Sequence, residues 1–234
     1  VTANIDIYER YVQIQTKSSI DAKTIKVLNP KEVVFEGGRE LELDAVSEVP
    51  RYYVCNAYGV CGIYSAPGTA VKEAYDTSGI VTNDRGVTVW LKGNRVSRNQ
   101  IMAIKEESVT EQKNSLAVCL DNILRHAGIT RNTEYDLAQG KTATTILSEN
   151  MTGVQVLDLS GCTLDAVLYY VNQDIPVLAI LEDGEAVLVT GFNEFNVVIM
   201  EPATGKLYKK GMNDATAWFA ENGNHFITYM RIEN

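Results

Sequence analysis

Apolar and polar positions are patterned most sharply between Ile175 and Pro202, IPVLAILEDGEAVLVTGFNEFNVVIMEP. Pro176 stands where a strand opens and its missing N–H costs least. Val177-Leu178-Ala179-Ile180-Leu181 is an unbroken apolar run, the pattern of a strand covered on both faces. Asp183-Gly184 supplies the positive φ of a tight hairpin. A second strand follows over Ala186 to Thr190, then a turn around Asn193 and Asn196, then a third strand over Val197 to Met200, closed by Glu201-Pro202. Strands this apolar require helices or a further sheet over their faces.

Upstream of this run the period changes from two to that of a helix. Leu116, Leu120, Ile123 and Ala127 share one face of a helix over Leu116 to His126, with Asn114 or Ser115 as its N-cap. Thr142 to Asn150 reads as a second helical segment and Val154 to Leu159 as a short strand. Thr163 caps a third helix, Leu164 to Gln173. Downstream, Thr204-Gly205 turns into Leu207-Tyr208, a short helix covers Asp214 to Glu221, and His225 to Met230 is a final strand. Helices first and an antiparallel sheet after them define an α+β domain over residues 108–234.

The first 107 residues are β-rich. Ile5 to Ile14 is ambiguous between helix and strand; Thr24 to Leu28, Val33 to Phe35 and Leu41 to Val46 read as strands, with a turn at Gly37-Gly38. Residues 51–93 read as a ββαββ unit: strands over Tyr52 to Tyr58 and Val60 to Tyr64, a helix over Pro67 to Thr77 capped by Ser65, and a hairpin around Asp84-Arg85-Gly86. A unit of this size is expected to pack on its neighbour. Asn94 to Glu107, rich in Arg, Asn and Lys, is the linker expected between the two regions.

Composition narrows the function. Lys and Arg total 21 against 30 Asp and Glu, a net charge of -9, which argues against a nucleic-acid partner. The longest apolar runs are far short of a membrane span, so no membrane insertion is expected. The chain opens on Val1 and reads as a mature or excised fragment. Of the four cysteines, Cys55, Cys61, Cys119 and Cys162, none forms a CxxC pair. With only His126 and His225 beside them, no metal and no cofactor is expected. Cys55 and Cys61 flank a turn at Tyr58-Gly59, where they either bridge a hairpin or remain two small buried hydrophobes. A bridge implies an oxidising compartment.

Residues 112 to 231 carry a further pattern. Gln112 precedes a helix start, Ser115-Leu116-Ala117-Val118-Cys119-Leu120. A strand reads Gly184-Glu185-Ala186-Val187-Leu188-Val189-Thr190-Gly191-Phe192, and the next strand ends in Glu201-Pro202. In these elements and their order the chain resembles the bacteriocin-processing peptidase domains that remove double-glycine leaders, a branch of the papain-like cysteine peptidases. The resemblance covers about half the chain and implies a papain-like fold for the C-terminal domain. It places Ser115 at the nucleophile position, Glu185 at the base position, Glu201 at the orienting position, and Gln112 near that of the oxyanion-stabilising Gln.

Those residue types do not supply the family's chemistry. The mechanism needs a thiolate at a helix N-terminus, an imidazole to take its proton and a third group to orient the imidazole. A serine offers no thiolate, and a solvated Glu is a poor base for a hydroxyl that ionises far above neutrality. The expectation is a non-catalytic papain-like peptidase homologue that acts as a peptide- or protein-binding or scaffolding module of a bacterial secreted or cell-surface protein. The alternative is an active cysteine peptidase with a non-standard Cys/His pair, Cys119 being the candidate nucleophile. Its partner on the same helix, His126, lies seven residues on, about 10 Å away. Cys162 stands at a helix start, where a thiol pKa is lowered or where a small residue simply fills a turn. Glu182, Asp183, Glu185 and Glu201 lack the spacing of a calcium loop.

Overall fold

The computed structural model describes residues 2–7, 10–15, 25–29, 32–35, 39–41, 50–59, 61–92 and 114–232; for the strands before residue 50 it gives the chain course and pairing. Gly37-Gly38, most of the strand expected to end at Val46, the linker over Asn94 to Glu107, and Gln112 lie outside the described residues.

The C-terminal half is built on a six-stranded antiparallel sheet. Its strands are β10 (Val154–Asp158), β11 (Val177–Ile180), β12 (Ala186–Phe192), β13 (Asn196–Glu201), β14 (Lys206–Gly211) and β15 (His225–Arg231). They stand in the order β10-β15-β11-β12-β13-β14. Gly184, at φ +83°, makes the turn from β11 to β12, where its N–H reaches the Leu181 carbonyl at 3.0 Å. Every residue of β12 is buried, which requires cover on both faces. The helices that touch it are α2 (Ser115–His126) and α5 (Leu164–Val171), while α4 (Ala143–Asn150) packs on β10 and α6 (Met212–Glu221) on β13 and β14. Leu120, Ile123 and Leu124 of α2 and Val167, Leu168 and Val171 of α5 are fully buried, as their 3.6-residue spacing dictates. The helices do not all precede the sheet: β10 lies between α4 and α5, and α6 between β14 and β15. The last strand closes the sheet from inside, inserted between β10 and β11.

Residues 52–91 form β6 (Tyr52–Cys55), β7 (Cys61–Tyr64), α1 (Pro67–Thr77), β8 (Ile80–Asn83) and β9 (Thr88–Leu91), a four-stranded antiparallel sheet in the order β7-β6-β8-β9. The inner face carries Tyr52, Val54, Val81 and Trp90 into a core continuous with that of the C-terminal sheet. Polar groups close the seam. Trp90 Nε1 donates to the Ala166 carbonyl at 3.0 Å, and Tyr170 OH to the Val89 carbonyl at 3.1 Å. Gln155 donates to Tyr52 OH and accepts from Asn83 Nδ2. Gly68 lies close against neighbouring backbone: an added Cβ would stand 3.0 Å from the Ser160 carbonyl, tighter than an ordinary contact. The helix starts at Pro67 as expected but its cap differs: Ala66, not Ser65, is the N-cap and makes no side-chain bond, so Pro67 at the first turn sets the boundary. Asn83 organises the β8–β9 turn instead of Asp84, its Oδ1 accepting from the Arg85 and Val87 N–H groups.

Cys55 and Cys61 face each other across β6 and β7 and are joined by a disulfide. The bridge closes a loop with a sequence separation of 6. The chain-entropy model assigns a loop of that size about 2 kcal/mol. The double replacement C55S/C61S is expected to lower unfolding stability by about that amount, read as the free energy from denaturant unfolding and a smaller midpoint.

Ile5 to Ile14, ambiguous in sequence, is an antiparallel pair, β1 (Thr2–Ile7) with β2 (Arg10–Gln15). Strands β3 (Ile25–Asn29), β4 (Glu32–Phe35) and β5 (Arg39–Leu41) form a separate three-stranded sheet. One helix has no sequence signal: α3 (Glu134–Ala138). Its buried Asp136 bonds Arg131 at 2.9 Å and Lys141 at 3.1 Å, and these cations hold its carboxyl below the usual range. On acidification the unfolded chain takes up that proton first, near pH 4. The stabilisation is therefore complete above that pH and lost as pH falls through the lower folded value. Thermal midpoints measured from pH 7 down to pH 3 are expected to fall less steeply in Asp136→Asn.

Candidate functional site

Helix α2 begins beside the first residue of β12. Asn114 caps it, its Oδ1 accepting from the Leu116 N–H at 2.9 Å and the Ala117 N–H at 3.2 Å. Ser115, the first helical residue, is nine-tenths buried. Its Oγ accepts a hydrogen bond at 2.9 Å from the N–H of Ala186, the first residue of β12. Glu185, one residue earlier, is thereby set beside Ser115 and is exposed. Glu201 ends β13, and the pairing of Leu188 with Met200 brings it to the same end of the sheet as Glu185. It is exposed as well, with Thr204 Oγ1 donating to its Oε2 at 2.8 Å. Ser115, Glu185 and Glu201 therefore gather at one end of the sheet.

The hydroxyl of Ser115 is committed as an acceptor to the Ala186 backbone N–H. The other groups that could supply nucleophilic chemistry lie elsewhere. Cys119, one turn into α2 on the same side as Ser115, is fully buried. Burial pushes its thiol well above the ordinary range, and the Glu185 carboxylate adds to that rise. Cys162 is buried and donates through its sulfur to the Gly68 carbonyl at 3.3 Å. Burial raises its thiol to about 12, with Lys72 opposing and Asp158 adding. A lowered pKa at this helix start is therefore corrected: Cys162 fills the seam beneath α1.

Neither histidine stands at the site. His126 closes α2 at its far end, where its Nε2 bonds the Asp174 carbonyl. His225 opens β15, opposite Ile180, which is itself opposite Ala186. Two strand spacings, about 10 Å, thus separate its backbone from the Ser115 contact, and its ring lies over Gly223.

Asp183 Oδ1 accepts from the Glu185 N–H at 3.0 Å, an ordinary turn bond. Among the described residues no group of three or more His, Cys, Asp or Glu side chains is placed to hold a metal ion. Among the same residues no helix is long and apolar enough to cross a membrane. The Ser115–Ala186 contact has no signal in sequence, because 71 residues separate its partners.

No family model matches the chain, and no curated protein does. Among solved structures it is similar to a Bacillus anthracis protein described as a C39-like peptidase. The identity is 13%, the match spans 58% of this chain and 98% of that one, and the TM-score is 0.48. A likeness of that degree assigns neither activity nor site.

Proposed function

We propose that residues 108–234 form a non-catalytic homologue of the papain-like, leader-removing peptidases, which binds a peptide or protein segment at the end of the sheet where Ser115, Glu185 and Glu201 meet. One observation carries the reading: the position resembling the nucleophile holds a serine whose oxygen accepts from the Ala186 N–H, beside a carboxylate where an imidazole is required. The buried Cys119 thiol weighs against the alternative of a peptidase using a non-standard pair. The ordered turn between β11 and β12 and the exposed acids flanking it offer polar contacts to an extended segment. The Cys55–Cys61 bridge supports a secreted or cell-surface setting for the 1–107 and 108–234 regions alike.

The test uses the purified chain and a synthetic peptide with a double-glycine site, one form fluorogenic for cleavage and one labelled for binding. The expected result is retention without turnover, weakened by Glu185→Lys and Glu201→Lys in combination. Thiol-dependent cleavage, or binding indifferent to those substitutions, overturns the proposal.

A further inference from the structure

The sheet β7-β6-β8-β9 covers the core with one face only. Its register places Tyr53, Cys55, Cys61, Ile63, Ile80, Thr82, Thr88 and Leu91 on the other. This outer face contains no charged residue, and Ile63, Ile80 and Leu91 are 40%, 48% and 39% exposed. A whole uncharged sheet face is not the scattered apolar exposure of an ordinary surface.

The same chain holds its complement. In the sheet β3-β4-β5, Ile25 pairs with Phe35, Val27 with Val33, and Val33 with Leu41. Residues directly opposite share a face, so these five apolar positions lie on one side, together with Arg39 of the edge strand β5, opposite Phe35. Lys26, Val34 and Glu40 lie on the other. A sheet with one mostly apolar face buries it against another layer. Two layers of this kind, each mostly apolar on one side, are the halves of a β-sandwich. Ten residues of chain separate β5 from β6, and β2 lies against β7, the edge strand of the uncovered sheet.

From these juxtapositions we infer that the N-terminal strands of this chain dock on the outer face of β7-β6-β8-β9, the apolar side of β3-β4-β5 covering Ile63, Ile80 and Leu91. The N-terminal region is then a layer of the same body, placed away from the sheet end that carries Ser115.

Hydroxyl-radical footprinting of the full chain tests this, with Phe195, 71% exposed, as the internal reference. After correction for intrinsic reactivity, Ile80 and Leu91 are expected to oxidise several-fold more slowly than Phe195. The double variant V33D/F35D should bring them up to the reference rate, while buried Leu120 and Phe219 stay protected and report an intact core. Oxidation of Ile80 and Leu91 near the reference rate in the native chain overturns the inference. So does protection that V33D/F35D leaves unchanged. Protection that vanishes on dilution identifies a second copy as the cover and overturns it equally.

Discussion

Trp90→Ala is expected to remove about 4 kcal/mol of stability, the upper range for deleting a buried aromatic side chain. The indole is 2% exposed and sits between Tyr75 and Tyr169, at ring separations of 6.1 and 6.2 Å. Its Nε1 donates to Ala166 in the first turn of α5, so truncation also leaves that buried carbonyl without its partner. The loss falls on the seam between the ββαββ unit and the C-terminal sheet. For a chain of this size the thermal midpoint should drop by about 8–16 °C. The chain contains two tryptophans, and Trp218 lies far along α6, under Lys210 Nζ at 5.0 Å. Trp218→Phe leaves Trp90 as reporter of the seam, and Trp90→Phe leaves Trp218 as reporter of the far end. Because one core runs through both regions, the two denaturation curves should coincide. Separate transitions would show that the ββαββ unit melts alone, and the seam contacts would then contribute little.

How far the sequence forecasts this architecture depends on where each constraint lies. The boundaries of α1 match the expectation because Pro67 fixes its start, and Ser78 in the left-handed region ends it before Gly79. β11 to β13 are equally plain, since unbroken apolar runs and Asp183-Gly184 are local signals. α3 is invisible for the opposite reason. Its five residues carry no apolar period, and it is held by Asp136 bonding Arg131 and Lys141 and by Asp121 accepting from the Thr133 N–H. The insertion of β15 between β10 and β11 is likewise a property of the assembled sheet. At the site, residue types were readable and contacts were not. Ser115 and Glu185 emerge from a resemblance, but what Ser115 Oγ bonds depends on where α2 meets β12. Cys162 shows the hazard of local reasoning: a helix start lowers a thiol pKa only while solvent or a cation faces it, and here burial dominates.

Ser115→Cys followed by Glu185→His should convert the site into one that reacts. In the native chain the two free thiols are buried, and burial raises the Cys162 thiol to about 12, which leaves its thiolate far scarcer than that of an ordinary cysteine near 8.5. Alkylation of the native chain by iodoacetamide should therefore be negligible at pH 6. Ser115→Cys puts a thiol at the N-terminus of α2, where the helix favours an anion, but the Glu185 carboxylate beside it opposes ionisation. Only modest labelling is expected from that variant. Adding Glu185→His exchanges the opposing charge for an imidazolium. Thiols paired with histidine in papain-like sites ionise near pH 3–4, so at pH 6 the thiolate fraction should rise by about two orders of magnitude. The measurement is the alkylation rate of the introduced thiol against pH, with Cys162 as the unreactive standard. A rise of that size, with the midpoint shifted to acid, would establish that positions 115 and 185 face each other as nucleophile and base do. An unchanged profile would mean that the side chain at 185 points away from Ser115. The acids at this end of the sheet would then be solvated turn residues, and the likeness to a peptidase would stop at the order of its elements.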